Sequence, residues 1–352
     1  MTAPSTLERF ERDAAPLGPH RVLVEVAGCG VCHTDLGFLY GGVSTRKSLP
    51  IVLGHEVSGV VVEAAPGEAQ WLKRRVIVPA VAPCGRCGFC FAGRPTSCRA
   101  SLMPGNDEDG GFATHVEVPA HTLCAVDPPG ETPAADAPIG RAGLQLWELS
   151  VVADAVSTPL QAIRRCGLKA GDLAVVVGAG GVGGYAVQLA RAVGATVAAV
   201  DPDPSRRARA NALGARTGID PAAGARAVKT ELQALARAAG LEPHGWRIFE
   251  TSGAKAGQEL AFGLLTPGGS LSVVGFTPEP TTVKLSSLMA LDATAYGNWG
   301  CDPKLYPEAL AYVASGQVQI KGQVKKERLD DAPRVLEAVH HGELKERAVL
   351  VP

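Results

Sequence analysis

An excess of charge of either sign is missing from this chain. Its 352 residues include 34 basic and 35 acidic side chains, a formal net charge of −1. That balance gives no electrostatic footprint for nucleic acid or for an anionic membrane surface. Aromatic residues are scarce at 5%, and the 42 glycines follow no three-residue period, which excludes collagen. No apolar core follows a basic start in MTAPSTLERFERD, so no secretory signal is expected and the protein is expected to be cytoplasmic. One uncharged run, 18 residues over 173–190, touches the length of a membrane span. Gly178, Gly180, Gly181, Gly183, Gly184 and Gln188 interrupt it, and a buried strand, a turn and a helix explain it better. The rest is ordinary globular composition, 46% hydrophobic and 20% charged. At about 150 residues per domain, the length suggests roughly two domains.

Nine cysteines in a chain without an export signal point to metal or redox chemistry rather than disulfides. Four of them, Cys84, Cys87, Cys90 and Cys98, fall within fifteen residues as CGRCGFCFAGRPTSC. This spacing supplies four thiolates from one loop, enough to close a tetrahedral structural zinc, and Gly85, Gly88 and Gly93 let the chain turn around the metal. Iron–sulfur sites share such spacing and rank below zinc here. A closed site has no open coordination position, so the lobe should stabilise the fold and perform no chemistry.

Up to about residue 150 the chain reads as short strands between loops. RVLVEVA (21–27) alternates Val22, Val24 and Val26 with Arg21, Leu23 and Glu25, a period of two. VSGVVVE (57–63), RVIVPAV (75–81) and HVEVP (115–119) continue the pattern, and a β-rich, barrel-like domain is expected. Beyond 150, strand and helix alternate: LAVVVGAGGVGG leads into YAVQLARAVGA, followed by TVAAVD, WRIFETSG, QELAFGLLTPGG and SLSVVGF. Such alternation marks βαβ units on a parallel sheet, an α/β fold. After Phe276 the pattern weakens; helices are expected near 303–315 and 331–341, then a terminal strand in ERAVLVP.

Gly178, Gly180 and Gly183 form G-x-G-x-x-G between an apolar strand and a helical pattern, with Gly181 and Val182 inside the motif. The glycines permit a tight turn, close approach of backbone to a pyrophosphate, and close helix–strand packing. The free N–H groups of the helix start then face the phosphates. A second strand, TVAAV, ends in Asp201, eighteen residues after Gly183. A carboxylate there accepts hydrogen bonds from the adenosine ribose and repels a 2′-phosphate, so NAD is expected over NADP. Arg206 and Arg207 follow closely and keep NADP open.

GCGVCHTD (28–35), GHE (54–56), the four-cysteine lobe and GAGGVG, in that order, resemble the zinc-dependent medium-chain alcohol dehydrogenases over nearly the whole chain. The resemblance implies a GroES-like catalytic domain over 1–150 with its structural-zinc lobe at 84–98. A Rossmann NAD-binding domain over 151–288 would follow, and 289–352 would return to the catalytic domain. It also implies a catalytic zinc on Cys32, His55 and Asp154, with Glu56 as the adjacent carboxylate of the metal group, and hence two zinc ions per chain. In DAVSTPLQAI, Asp154 falls at the ligand position and Thr158 at the nicotinamide. Thr34 matches the hydroxyl that takes the alcohol proton, and His33 a position facing the cofactor pyrophosphate. Several family members carry a histidine five residues after the first ligand, where this chain has Gly37. The proton must therefore leave through water, a ribose hydroxyl or another side chain. His121 and His340 read as satisfied histidines rather than relay groups. A homo-oligomer, dimer or tetramer, is expected.

The implied reaction is NAD-dependent oxidation of a secondary alcohol to a ketone. SSLMALDATAYGNWGC (286–301), followed by DPKLYPEAL, is similar to one branch of the family. That branch is the 6-hydroxycyclohex-1-ene-1-carbonyl-CoA dehydrogenases of anaerobic aromatic-acid degradation, which oxidise a ring alcohol on a CoA thioester to a conjugated ketone. A CoA tail needs cations for its phosphates. Arg46 with Lys47, or Lys321, Lys325, Lys326 and Arg328, are the candidates, although surface cations usually only solvate. Dehydrogenation of another small secondary alcohol and zinc-assisted hydration of an enone are the alternatives. A zinc-free double-bond reductase would need neither the four-cysteine lobe nor the Cys and GHE pair. A non-catalytic NAD sensor would need no hydroxyl such as Thr34.

Overall fold

A computed structural model describes residues 1–13 and 15–352. The chain forms two compact units, one from Met1–Ser157 with Gly300–Pro352 and the other from Thr158–Trp299. The first contains β1 (Arg21–Gly30), β2 (Glu56–Ala64), β3 (Arg75–Val78), β4 (His115–Pro119) and β5 (Cys124–Ala125). The second contains β6 (Leu173–Val177), β7 (Thr196–Val200), β8 (Thr217–Ile219), β9 (Arg247–Glu250), β10 (Ser270–Val273) and β11 (Thr294–Gly297). The chain then returns to the first unit for β12 (Val324–Arg328) and β13 (Arg347–Val351).

The sheet of the first unit runs β12-β13-β1-β2-β3-β5, with β4 also paired to β1. Every pair is antiparallel except β12 with β13. The alternation in β1 buries Val22, Val24 and Val26, which join Val57, Val61, Val76, Val78, Val116 and Val118 in one aliphatic core. A second core gathers Leu36, Phe38 and Leu39 of the helix His33–Leu39 with Ile51, Leu53, Val335, Leu336 and Leu350. Register positions the chemistry. Gly30 lies opposite Glu56 on one side and Val349 on the other. A Cβ on Gly30 would fall 2.2 Å from Glu56 Oε2, so the missing side chain is what lets that carboxylate lie over the strand.

The second unit is a parallel sheet in the order β11-β10-β9-β6-β7-β8. All five residues of β6, LAVVV, are buried, as a strand covered on both faces must be. The long uncharged run resolves into β6, the glycine turn and the helix Gly181–Ala192. Among the described residues, no helix is long and apolar enough to cross a membrane.

The divisions between units fall at 157/158 and 299/300, not at 150/151 and 288/289. The 3₁₀ stretch Leu146–Ala153 packs on β1 and β2 and stays with the first unit. At the other end β11 pairs with β10 and carries the second unit past 288. The expected helices form at Tyr306–Ala314 and Ala332–His340, each after a single 3₁₀ turn. RVIVPAV is a strand only over Arg75–Val78.

Candidate metal centre and dinucleotide loop

Cys32 caps the N-terminus of the helix His33–Leu39. Three residues on, Asp35 closes a capping box: its Oδ2 accepts from the Cys32 amide at 2.9 Å. The other oxygen accepts from the Gly54 amide at 3.2 Å and lies 3.3 Å from His55 Nδ1. Asp35, which is fully buried, thus ties GCGVCHTD to GHE. The capping spacing Cys-x-x-Asp is the local signal in the sequence that marks it.

His55 Nε2 lies 3.7 Å from Asp154 Oδ2, and Cys32 Sγ lies 3.8 Å from the same oxygen. Cys32, His55, Glu56 and Asp154 each place one donor atom within 4.8 Å of the others. Zinc bond lengths of about 2.3, 2.05 and 2.1 Å for S, N and O imply tetrahedral edges of about 3.6 Å for S···O and 3.4 Å for N···O. The observed edges are within a few tenths of these. Neither ring nitrogen of His55 makes a hydrogen bond, although the residue is only 1% exposed, and a buried polar group without a partner is costly. A divalent ion bound at Nε2 removes that cost there while Nδ1 faces the Asp35 carboxylate, so the donor set fits zinc.

The electrostatics agree. Burial opposes charge on the His55 ring, but Asp35, Asp154 and Cys32 outweigh it and push the pKa well up. Burial raises the Glu56 carboxyl to about 7, against the pull of Arg347. The His55 direction describes a pocket rich in anionic donors, while that of Glu56 reflects its burial. Arg347 donates to both Glu56 oxygens, from Nε at 2.9 Å to Oε2 and from its terminal nitrogen to Oε1. It stands 291 residues away in the chain, and nothing local in the sequence marks it. Thr34 is half-buried with Oγ1 3.7 Å from Cys32 Sγ, and His33 is exposed. A Cβ at Gly37 would meet Val43 Cγ2 at 3.7 Å.

The four cysteines of the loop converge on one another. Cys87 Sγ lies 3.5 Å from Cys90 Sγ and 3.7 Å from Cys98 Sγ, near the S···S edge of about 3.8 Å that 2.3 Å zinc–sulfur bonds require. Cys84 is within 4.8 Å of the other three, and none of the four is in a disulfide. The Cys90 backbone amide pulls the Cys87 thiol down to about 7, while burial pushes the Cys90 thiol up to about 11.

In the second unit Gly178 turns with φ +91°, and a Cβ there would meet the Ser252 Cα at 2.5 Å. Gly180 caps the helix that begins at Gly181; Gly181 is exposed and Val182 half-buried. Gly183 lies so close to the turn that a Cβ would fall 1.8 Å from the Gly178 oxygen. Thr251, unremarked in the sequence, donates from Oγ1 to that oxygen at 2.7 Å and holds the loop on β9. Asp201 is buried at the end of β7, accepting from Ala179 N at 2.8 Å and Asp203 N at 2.9 Å. Arg206 is half-exposed, its terminal nitrogen 4.0 Å from the Gly180 Cβ position. Arg207 instead donates to the Asp201 and Pro202 carbonyls and pairs with Asp220, so it braces the strand end. Thr158 is buried, and its carbonyl accepts from Asn298 Nδ2 at 3.1 Å.

Of the cations considered for phosphates, Arg46 pairs with Asp107, Lys47 with Asp109, Lys325 with Glu327 and Arg328 with Asp330. Lys321 and Lys326 are exposed. His121 bonds the Pro83 carbonyl at 2.8 Å and His340 stacks on Tyr40 at 4.7 Å, so both histidines have structural partners.

Two zinc-type donor sets in a β-rich unit and a glycine loop on a parallel sheet define a zinc-binding oxidoreductase. The alcohol dehydrogenase GroES-like domain family matches residues 18–128, and the zinc-binding dehydrogenase family matches residues 181–315. An alcohol dehydrogenase of Geobacillus stearothermophilus is 29% identical over 98% of this chain and 95% of its own length. The alcohol dehydrogenase of the archaeon Aeropyrum pernix is similar in structure, with TM-score 0.83 and 28% identity over 100% of this chain and 98% of that one. A zinc-binding dehydrogenase of Sinorhizobium meliloti, solved bound to NADP, gives TM-score 0.76 and 28% identity over 96% and 94% of the two chains. The chain belongs to the zinc-dependent medium-chain alcohol dehydrogenase family, with a GroES-like and a Rossmann-type unit, and is an oxidoreductase of the alcohol dehydrogenase type.

Proposed function

We propose that the protein oxidises a secondary alcohol to a ketone with NAD, using a zinc ion on Cys32, His55 and Asp154. A second, structural zinc would sit on Cys84, Cys87, Cys90 and Cys98. The observation that carries this is the buried His55 ring, with Nδ1 beside Asp35 and Nε2, which makes no hydrogen bond, facing a thiol-flanked carboxylate at ligand spacing. When bound, zinc supplies Lewis-acid activation of the alcohol oxygen and NAD accepts the hydride. Thr34 Oγ1 takes the hydroxyl proton and hands its own to water or a ribose hydroxyl, because Gly37 offers no side chain to continue the path. Asp35 keeps the His55 ring in orientation. Glu56, held by Arg347, adds negative charge beside the metal without spending an oxygen free of hydrogen bonds.

The loop Gly178, Gly180, Gly181, Val182 and Gly183 would receive the pyrophosphate, with His33 facing it and Thr158 by the nicotinamide. Asp201 supports NAD over NADP, since its carboxylate is already fixed by two amides and would meet a 2′-phosphate with like charge. Arg206 would lie along the adenosine side of the loop. A cytoplasmic homo-oligomer, dimer or tetramer, accords with the family.

For the substrate we favour 6-hydroxycyclohex-1-ene-1-carbonyl-CoA, oxidised to the 6-oxo enone, on the similarity over residues 286–301. Lys321 and Lys326 are then the candidates for the CoA phosphates, the other cations being paired. The test is a panel of secondary alcohols, free and as CoA thioesters, followed by absorbance of reduced cofactor. Preference for the cyclic thioester supports the narrower assignment, and equal rates with simple alcohols remove it. No NADH from any alcohol with zinc-loaded protein would remove the broader one.

A further inference from the structure

Asp154 is the most loosely seated of the three proposed zinc donors. Cys32 is held at a helix start by Asp35, and His55 is fully enclosed. Asp154 instead ends the 3₁₀ stretch Leu146–Ala153, and its side chain is 18% exposed. Such ends fray unless their backbone groups are tied.

One carbonyl does the tying. The Ala153 oxygen accepts from the Tyr306 hydroxyl at 2.5 Å, from Ser157 Oγ at 3.2 Å and from the Ala80 amide at 3.3 Å. Tyr306 is fully buried, and its oxygen also accepts from the Ala80 amide at 3.2 Å. The residue begins the helix Tyr306–Ala314, in the part of the chain that returns to the first unit. Ala80 follows β3, so three separate stretches meet at this oxygen. The Ala153 C=O and the Asp154 N–H belong to one planar peptide. Pinning the oxygen fixes that plane and leaves only local torsions of Asp154 to place its carboxylate.

We propose that Tyr306 is a positioning residue for the metal: its hydroxyl pins the Ala153–Asp154 peptide and so holds the Asp154 carboxylate beside Cys32 and His55. This rests on the assignment of Cys32, His55 and Asp154 as the open zinc site. A role in positioning a ligand should appear in the metal itself, because changes around a ligand typically cost about 10–100-fold in metal affinity. A merely structural role should appear in melting alone.

The experiment compares Tyr306→Phe, Ser157→Ala and Asp154→Asn with the unaltered full chain, each loaded with zinc. Release of metal to a chelator is timed, and the visible spectrum is recorded after cobalt replaces the open-site zinc. Tyr306→Phe should release one metal about tenfold faster, keep the four-cysteine metal and shift the cobalt bands. Ser157→Ala should shift both readouts in the same direction by less, and it decides the matter if Tyr306→Phe fails to fold. If Asp154→Asn changes release and spectrum while Tyr306→Phe, or Ser157→Ala in its place, leaves both as in the unaltered chain, the positioning role is overturned. If Asp154→Asn itself leaves both unchanged, the ligand assignment fails, and the proposal with it.

Discussion

Two glycines of one loop should fail in different ways when given a methyl group. At Gly183 the new carbon would lie 1.8 Å from the Gly178 oxygen and 2.8 Å from Thr251 Oγ1. Ordinary contact is about 3.5 Å, so the helix Gly181–Ala192 must retreat from the turn by roughly 1.5 Å or the turn must open. Overpacking of this kind costs about 1–3 kcal/mol. At roughly 2–4 °C per kcal/mol for a unit of this size, Gly183→Ala should melt about 2–12 °C lower. The same movement displaces the N–H groups offered to the pyrophosphate, so NADH should bind at least about tenfold more weakly. At Gly180 the new carbon would meet nothing nearer than the Arg206 terminal nitrogen at 4.0 Å, and φ is −74°, outside the left-handed region. Gly180→Ala should therefore melt within about 1 °C of the unaltered protein. It should still lose about tenfold in NADH affinity, because the methyl would occupy the approach to the phosphates. Thermal melts and NADH fluorescence titrations read the two effects separately, with zinc content as a control for the first unit. Equal destabilisation by both variants, or a Gly183→Ala protein that melts and binds normally, would refute the division of labour.

Three further outcomes follow from the metal centre and the cofactor loop. Arg347→Met strands the buried Glu56 carboxylate, and breaking such a pair costs about 3–5 kcal/mol. In zinc-free protein that loss should shrink as pH falls: the Glu56 pKa is already raised to about 7 and rises further without the guanidinium, so the folded form takes up the proton more readily than the unfolded one. Urea unfolding at several pH values checks this, and a loss that does not vary with pH contradicts it. Cys87→Ser should reduce zinc from two ions per chain to one and lower the melting temperature by several degrees while NADH still binds; unchanged metal content would argue against the four-cysteine site. Asp201→Ser should reduce the ratio of kcat/KM for NAD over NADP by at least about tenfold, and an unchanged ratio would move cofactor choice elsewhere.

Donors and glycines were legible in the sequence because their chemistry limits what can replace them. Four clustered cysteines have few uses besides a metal, and G-x-G-x-x-G after LAVVV has few besides a phosphate turn. The parallel sheet was legible for a related reason: a strand buried on both faces must be apolar throughout, as β6 is. β12 shows the opposite case. It is an edge strand with the sequence VKKER and only Val324 buried, so its pairing with β13 leaves no hydrophobic period behind. β11 is similar, its residues largely exposed and its place set by β10 alongside it.

The residues that hold the donors in place were the least legible part of the site. Arg347 reaches Glu56 across 291 residues through the pairing of β13 with β1, and Tyr306 reaches the Ala153 carbonyl from 153 residues away. Neither is marked by a spacing that points to its partner, although Tyr306 lies in DPKLYPEAL, because a guanidinium or a hydroxyl can be brought to such a point from any element that passes it. Asp35 is the exception, since it acts within one helical turn and so leaves a local spacing. A metal centre assembled this way depends on the return of the chain after residue 300 as much as on its ligands, all of which precede it. Variants in that returning segment should therefore alter metal release and cobalt spectra even where they touch no ligand.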